Sequence, residues 1–305
     1  LGRLPGDEAM RMLGSDGVAD HWLSNGYLLL VGELPVIPAH SRYFDPPWYI
    51  EAFVDPETID PTDVYYADTS SNTIDPELNV GRIVGNNAAE LLVPIRTITN
   101  VYRHTTGYNF NWSNALVLSG FSTCRSGSCT DINFASERNL VQDKLDDHGV
   151  VVDEIHTPDY ATEALSEAEF FAQAPGSDFI HLAGHGNTDN MDDIDSVDLD
   201  RYIDPFGAAN PLVYASSCLT GDYTSWDGLA ENFLQKGAGL YLGSTEVSWC
   251  CVNKSVAGTI YNRFDPGDAF GPVVRSVKRD IGGFDYGNWA TGFYEDIWTA
   301  EYHIY

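Results

Sequence analysis

Two short stretches carry side chains suited to acyl chemistry. One is "HLAGHGN" (181–187), in which His185 stands between Gly184 and Gly186. The other is "VYASSCLTGD" (213–222), in which Cys218 follows an apolar run. A cysteine attacks a carbonyl as its thiolate, and an imidazole beside it can remove the thiol proton. The same imidazole can later return that proton to a leaving amine. Gly186 lets the backbone after the histidine approach a substrate closely, so its N–H and that of Cys218 are candidates for an oxyanion hole, each donor worth about 3 kcal/mol in the transition state. Plainer readings stand beside this one. A cysteine at a strand end is often a small buried apolar residue, and a histidine among glycines is often an ordinary loop residue. His181 and His185 also raise the question of a metal pair. The segment has a strand's composition, and residues i and i+4 on a strand lie about 13 Å apart. That spacing predicts a core histidine at His181.

The elements that must position these residues follow from the apolar runs. "NALVLSG" (114–120), "VVVDEI" (150–155), "DFIHLAG" (178–184), "PLVYASSC" (211–218) and "LYLGS" (240–244) read as strands. Between them, 132–149, 162–174 and 227–239 read as helices, the first and last ending in glycine. Short apolar strands alternating with helices predict an α/β fold, a mostly parallel sheet covered on both faces. In such sheets functional loops lie past the carboxyl ends of the strands. His185 and Cys218 both fall there, on strands expected to be neighbours. Upstream, "YLLLVGELPVIPA" (27–39) starts as a continuous buried strand, and 63–83 reads as strand, polar loop and short strand. Residues 87–104 have helical spacing, with Pro94 either kinking that helix or starting a second one. The Gly/Asn/aromatic stretch "TTGYNFNWSN" places a boundary near 106, dividing the chain into 1–105 and 106–305.

The composition bounds the rest. Acidic residues number 45 against 16 basic ones, for a formal net charge of −29. Phosphate neutralisation needs basic patches, so nucleic acid is excluded as a partner. An acidic extracellular surface and adaptation to salt both fit this balance. No stretch approaches the roughly 20 apolar residues of a membrane helix. The polar start "LGRLPGDEAM" and the end "EYHIY" read as those of a mature or excised fragment, part of a larger polypeptide or assembly. Five cysteines is an odd number, which leaves at least one thiol outside any intrachain pairing. Cys218 stands apart from the other four, which cluster as "CRSGSC" (124–129) and "WCC" (249–251).

"HLAGHG" followed by "VYASSC" resembles the His-Gly and Ala/Ser-Cys signature of clan CD cysteine peptidases, and four further features narrow the resemblance to the gingipain family, C25. These are the strand and turn at 27–39, the Tyr-rich, Val-Gly-Arg segment at 63–83, the nucleophile loop with its helix, and the "STEVSW" strand end. The likeness covers roughly residues 25–300. It implies a caspase-like α/β fold of two subdomains, the N-terminal one truncated, and a secreted or cell-surface cysteine endopeptidase. It implies Cys218 as nucleophile, His185 as general base and acid, and Gly186 and Cys218 as oxyanion donors. Trp249 falls where the family has a wall of the S1 pocket. Asp131 falls near the S1 carboxylate of members that cut after arginine; capping a helix that begins at Ile132 is its plainer role. An acidic residue that orients the histidine in some members is matched here near Ser122, a departure that leaves a third catalytic residue open.

The cysteines are a second departure: "CRSGSC" and "WCC" belong to the two loops that the resemblance places beside S1, and a disulfide between them is expected to stiffen the pocket, with a local Cys124–Cys129 bond as the competing outcome. No cofactor is expected for catalysis. Structural Ca²⁺ is expected from the family, and the alternating oxygen side chains Asp68, Ser70, Asn72, Asp75 and Glu77 are the candidate ligands, with the acidic run 188–200 as a second site. Both are otherwise solvated acidic faces. The expected partner is a protein or peptide substrate. Two rivals to hydrolysis are a sortase-like transpeptidase of the same family and a non-catalytic surface or assembly module keeping the fold.

Overall fold

The computed structural model describes residues 26–44, 57–67, 78–103, 113–120, 123–124, 132–192, 194–203, 206, 209–224, 227–265, 268–281 and 302–304. Its centre is a six-stranded sheet. In chain order the strands are β5 (Asn114–Ser119), β8 (Val151–His156), β9 (Phe179–Ala183), β13 (Leu212–Ser216), β14 (Leu240–Ser244) and β15 (Tyr302–Ile304). Across the sheet the order is β15-β14-β13-β9-β5-β8. The first five are parallel and β15 is antiparallel. Parallel neighbours need long crossovers, and the helices supply them.

Alternate side chains of each strand point to opposite faces, and two cores result. Val117, Phe179 and Tyr214 pack on one face with residues of α3 (Phe134–Asp147), α7 (Cys250–Arg263) and α8 (Phe270–Ile281). Leu118, Ile180 and Val213 pack on the other with α4 (Glu163–Gln173), α5 (Ser196–Tyr202) and α6 (Leu229–Gln235). This is the expected mostly parallel sheet with helices on both faces. The expected glycine stop holds for α3, which Gly149 follows with positive φ; α6 ends earlier than expected, at Gln235, with Gly237 rather than Gly239 taking positive φ.

The earlier part of the chain departs more from its sequence pattern. β1 (Tyr27–Val31) pairs in parallel with β4 (Asn79–Ile83) in a two-stranded sheet. The expected buried strand is therefore half open: Tyr27 is 66% and Leu29 56% exposed. Residues expected to start a strand at 63 instead form a helical turn, α1 (Val64–Ala67), after the β2–β3 hairpin of His40–Phe44 and Glu57–Thr62. α2 (Ala88–Tyr102) runs through Pro94 as one helix, with the Asn87 side chain accepting from the Ala89 and Glu90 N–H groups. Arg82 of β4 is fully buried. It donates to both Asp63 oxygens at 2.8 and 2.6 Å and to the Gly32 carbonyl at 2.6 Å. Tyr223, five residues past Cys218, covers that guanidinium at 4.6 Å and donates to Asp63. Among the described residues no helix is long and apolar enough to cross a membrane.

Candidate active site

β9 and β13 are adjacent and parallel, and Ala183 is paired with Ser216. His185 and Cys218 each lie two residues beyond that pair. The register thus delivers both to the carboxyl edge of the sheet at the same level. The last pairs across the sheet are small: Ser119, Ala183 and Ser216 stand in one row beneath them. Cys218 is half-buried and carries a reduced thiol. His185 is exposed, and the edge of Phe134, the first residue of α3, meets its ring at 5.2 Å and 89°.

The two loops interlock through backbone and small side chains. Ser217 donates to the Gly184 carbonyl at 2.9 Å. A Cβ on Gly186 would collide with Ser217 Oγ and come within 2.6 Å of the Cys218 carbonyl, so only glycine fits there. After His185 the chain forms β10 (Gly186–Asn187), β11 (Asn190–Met191) and β12 (Ile194–Asp195). The Asp192 N–H donates to the His185 carbonyl at 2.8 Å. Hydrogen-bonded and non-hydrogen-bonded pairs alternate in antiparallel strands. The next pair, Gly186 with Met191, is therefore non-hydrogen-bonded, and the Gly186 N–H turns away from β11. The Asp192 carboxylate fills the space that side chains on Gly120 and Gly184 would need, wedging this hairpin onto the ends of β5 and β9. On the other loop Leu219 has φ of 57° directly after the cysteine. Its N–H bonds the Glu246 carbonyl at 2.9 Å, and the Gly221 N–H bonds that of Ser244 at 2.7 Å. Left-handed backbone at a branched residue costs about 1–2 kcal/mol, and these bonds hold it.

His181 meets the fate expected of it. It is fully buried, one layer beneath the Ala183–Ser216 pair on the α3/α7 face. Its Nε2 lies 3.2 Å from Glu137 Oε1, and the Tyr261 hydroxyl lies 3.3 Å from its Nδ1. A neutral ring protonated on Nε2 satisfies both contacts. Tyr261 titrates higher than usual, first through burial and then through the charge of Glu137. Sequence reasoning missed Glu137 as the partner, because it sits 44 positions away on α3.

Trp249 is half-buried against the α3/α7 core and immediately precedes α7. Asp131, Ser122 and the proposed Ca²⁺ ligands Asp68, Ser70, Asn72, Asp75 and Glu77 lie outside the described residues. α3 begins at Phe134, two residues later than the sequence places it. In the second acidic run the hairpin and α5 take up the chain, and Asp195 caps α5 by accepting from the Asp198 N–H at 2.7 Å. Among the described residues no three His, Cys, Asp or Glu side chains group to hold a metal ion. Cys250 is disulfide-bonded.

A second group of ionisable residues lies further along the chain from Cys218, around Asp227 and α6. Asn86 donates to Glu231 at 3.0 Å and to Asp227 at 3.3 Å, and its N–H donates to Glu90 at 2.7 Å. Burial first, then the nearby charges of Glu33, Asp227 and Glu90, push Glu231 up to about 7.

A family model described as peptidase family C25 matches residues 16–294. Among solved structures, the arginine-specific cysteine proteinase gingipain R (RgpB) aligns with a TM-score of 0.70 at 15% identity, over 98% of this chain and 66% of that one. The complex of Porphyromonas gingivalis RgpB pro- and mature domains gives 0.69 at 14% identity, over 98% and 67%. A third structure, described only as a protease, gives 0.65 at 15% identity, over 97% and 66%. This chain therefore spans 66% of the length of gingipain R. No curated protein matches its sequence.

Proposed function

The chain belongs to peptidase family C25, and from that premise we propose that it is a cysteine endopeptidase working through Cys218 and His185. The observation that carries this reading is their shared level, two residues beyond the Ala183–Ser216 pair on adjacent parallel strands. His185 takes the proton of the Cys218 thiol, and the sulfur attacks the scissile carbonyl. The oxyanion that forms is met by the N–H groups of Gly186 and Cys218. His185 gives its proton to the leaving amine and the C–N bond breaks, leaving a thioester on Cys218. Water, deprotonated by His185, then hydrolyses the thioester and restores the thiol. The acceptor of the acyl group is water rather than an amine in this reading.

The finer reading is a basic P1 residue, with Asp131 supplying the carboxylate and Trp249 a wall of the pocket. Its support is the resemblance at those two positions. The Cys250 disulfide supports an oxidising, extracellular or cell-surface setting. Cys250 and Cys251 are consecutive in α7, where their Cα atoms are about 3.8 Å apart, below the usual disulfide span. A bond from Cys250 to Cys124 or Cys129 is therefore part of the proposal.

The experiment is labelling with a peptidyl acyloxymethyl ketone series that varies P1, followed by peptide mapping. The expected result is modification at Cys218, abolished by Cys218→Ala and fastest with arginine at P1. Folded protein that takes no label at Cys218 sinks the enzyme reading; equal rates across P1 sink the basic preference alone. Ligated product on adding an amine acceptor would make the enzyme a transferase.

A further inference from the structure

The thiol of Cys218 has a second neighbour that the two-residue mechanism leaves unused. Its Sγ lies 3.7 Å from the carbonyl oxygen of Ser248 and 4.0 Å from the Ser248 hydroxyl. Ser248 belongs to the segment between β14 and α7 and is 7% exposed. Asn253, on the first turns of α7 and 3% exposed, donates from Nδ2 to Ser248 Oγ at 2.8 Å. A serine hydroxyl has one proton to give. With the Asn253 amide donating to its oxygen, that proton is directed elsewhere, and Cys218 Sγ lies within its reach.

We propose that Ser248 is a further catalytic residue, whose hydroxyl, oriented by Asn253, donates to the Cys218 sulfur and stabilises the thiolate. The inference rests on the peptidase reading above. In the resting thiol, S–H donates weakly to the Ser248 carbonyl. When the S–H bond breaks and its proton passes to His185, the sulfur becomes a charged acceptor. The Ser248 O–H then turns to it, because hydrogen bonds to an ionised partner are shorter and about twice as strong as neutral ones. Asn253 is a positioning residue and touches no reacting atom. The segments enclosing the thiol also carry ionisable side chains. These are His185 past β9, Asp222 on the nucleophile loop, Glu246 past β14, and Lys254 on α7, whose Nζ donates to Ser136 at 3.1 Å. All four are retained in the variants below and no charge is added, so a shift between variants reports the hydroxyl.

The test is the pH dependence of iodoacetamide alkylation of Cys218, followed by mass spectrometry of its peptide in the full chain. Ser248→Ala is expected to raise the apparent thiol pKa by about one unit, which means about tenfold slower alkylation at pH values below it. Ser248→Thr, which keeps the hydroxyl, is expected to retain the wild-type profile. Asn253→Leu, uncharged and of similar size, removes the amide that orients the Ser248 hydroxyl, and is expected to raise the pKa as well. An Ser248→Ala profile that superposes on wild type overturns the proposal, as does an equal shift in Ser248→Thr. If Ser248→Ala does not fold, the Asn253→Leu profile decides: superposition on wild type overturns the proposal. The readout needs no peptide cleavage. A pKa shift in a protein that cleaves nothing refutes the peptidase reading and the catalytic role of Ser248 with it, and upholds the Ser248 contact to the thiolate alone.

Discussion

His185 and His181 are four residues apart and point to the same face of one strand line, yet one is exposed and the other sealed in the core. The layer of His181 is closed by Glu137 from α3 and by Tyr214 and Tyr261, whose rings meet the imidazole edge-on at 5.0 and 5.5 Å. The layer of His185 lies past the last strand pair, where Phe134 leans on the ring from α3. Burial with a partner consumes a histidine's hydrogen-bonding capacity and holds its charge state. Exposure at the sheet edge leaves the ring able to exchange protons. The chemistry available to each histidine is therefore set by its layer.

The largest expected effect breaks the comparison at the exposed site. His185→Ala should lower kcat/KM at least about 10³-fold. Its urea midpoint should stay close to wild type, since an exposed substitution usually costs within about 0.5 kcal/mol. A urea midpoint that falls with the activity would make His185 structural. The buried site should give the mirror image. His181→Leu leaves the buried Glu137 carboxylate without its Nε2 hydrogen bond, and leaving a buried charged acceptor unsatisfied costs about 3 kcal/mol. Equilibrium unfolding should show that loss, while kcat/KM per folded molecule stays within about threefold of wild type. Adding Glu137→Leu to His181→Leu should recover much of the stability, because no charge is then left buried without its partner.

The smallest expected effect separates the two kinds of pH dependence. Glu231 is raised from 4.5 to about 7, so the folded protein binds more protons than the unfolded chain between those values. Its contribution to stability is full below pH 4.5 and is lost as pH rises through about 7. Thermal midpoints measured from pH 5 to 8 should therefore decline, and Glu231→Gln should flatten that decline. The alkylation profile of Cys218 should stay unchanged in that variant. A matching shift in both would mean that the acidic group reaches the nucleophile.

Much of the sheet was legible because its strands are buried on both faces. Apolar runs such as "FIHLA" and "LVYAS" need no long-range information to be read as strands, and the glycines after α3 and α6 mark helix ends locally. The residues around β1 were harder. Its four-residue apolar run looks like a core strand, but among the described residues it pairs with β4 alone, and Tyr27 and Leu29 stay in water. The turn at Val64–Ala67 carries strand-forming residues and is held as a helix, directly after the Asp63 that the buried Arg82 grips. Propensity there is outweighed by a tertiary ion pair.

The candidate site divides along the same line. The Gly-His-Gly and Ser-Cys motifs, at the ends of two apolar runs, were sufficient by themselves to nominate His185 and Cys218 and to demote His181. Sequence also determined the architecture of the sheet, since strand and helix periodicities are local properties. What only the tertiary structure decided is which distant groups complete each layer. Glu137 against His181, Asn253 behind Ser248, the Asp192 wedge on Gly120 and Gly184, and Tyr223 on Arg82 all join separate segments. A hydrogen bond depends on distance and direction in space, and no spacing along the chain encodes either until the strands have taken their register.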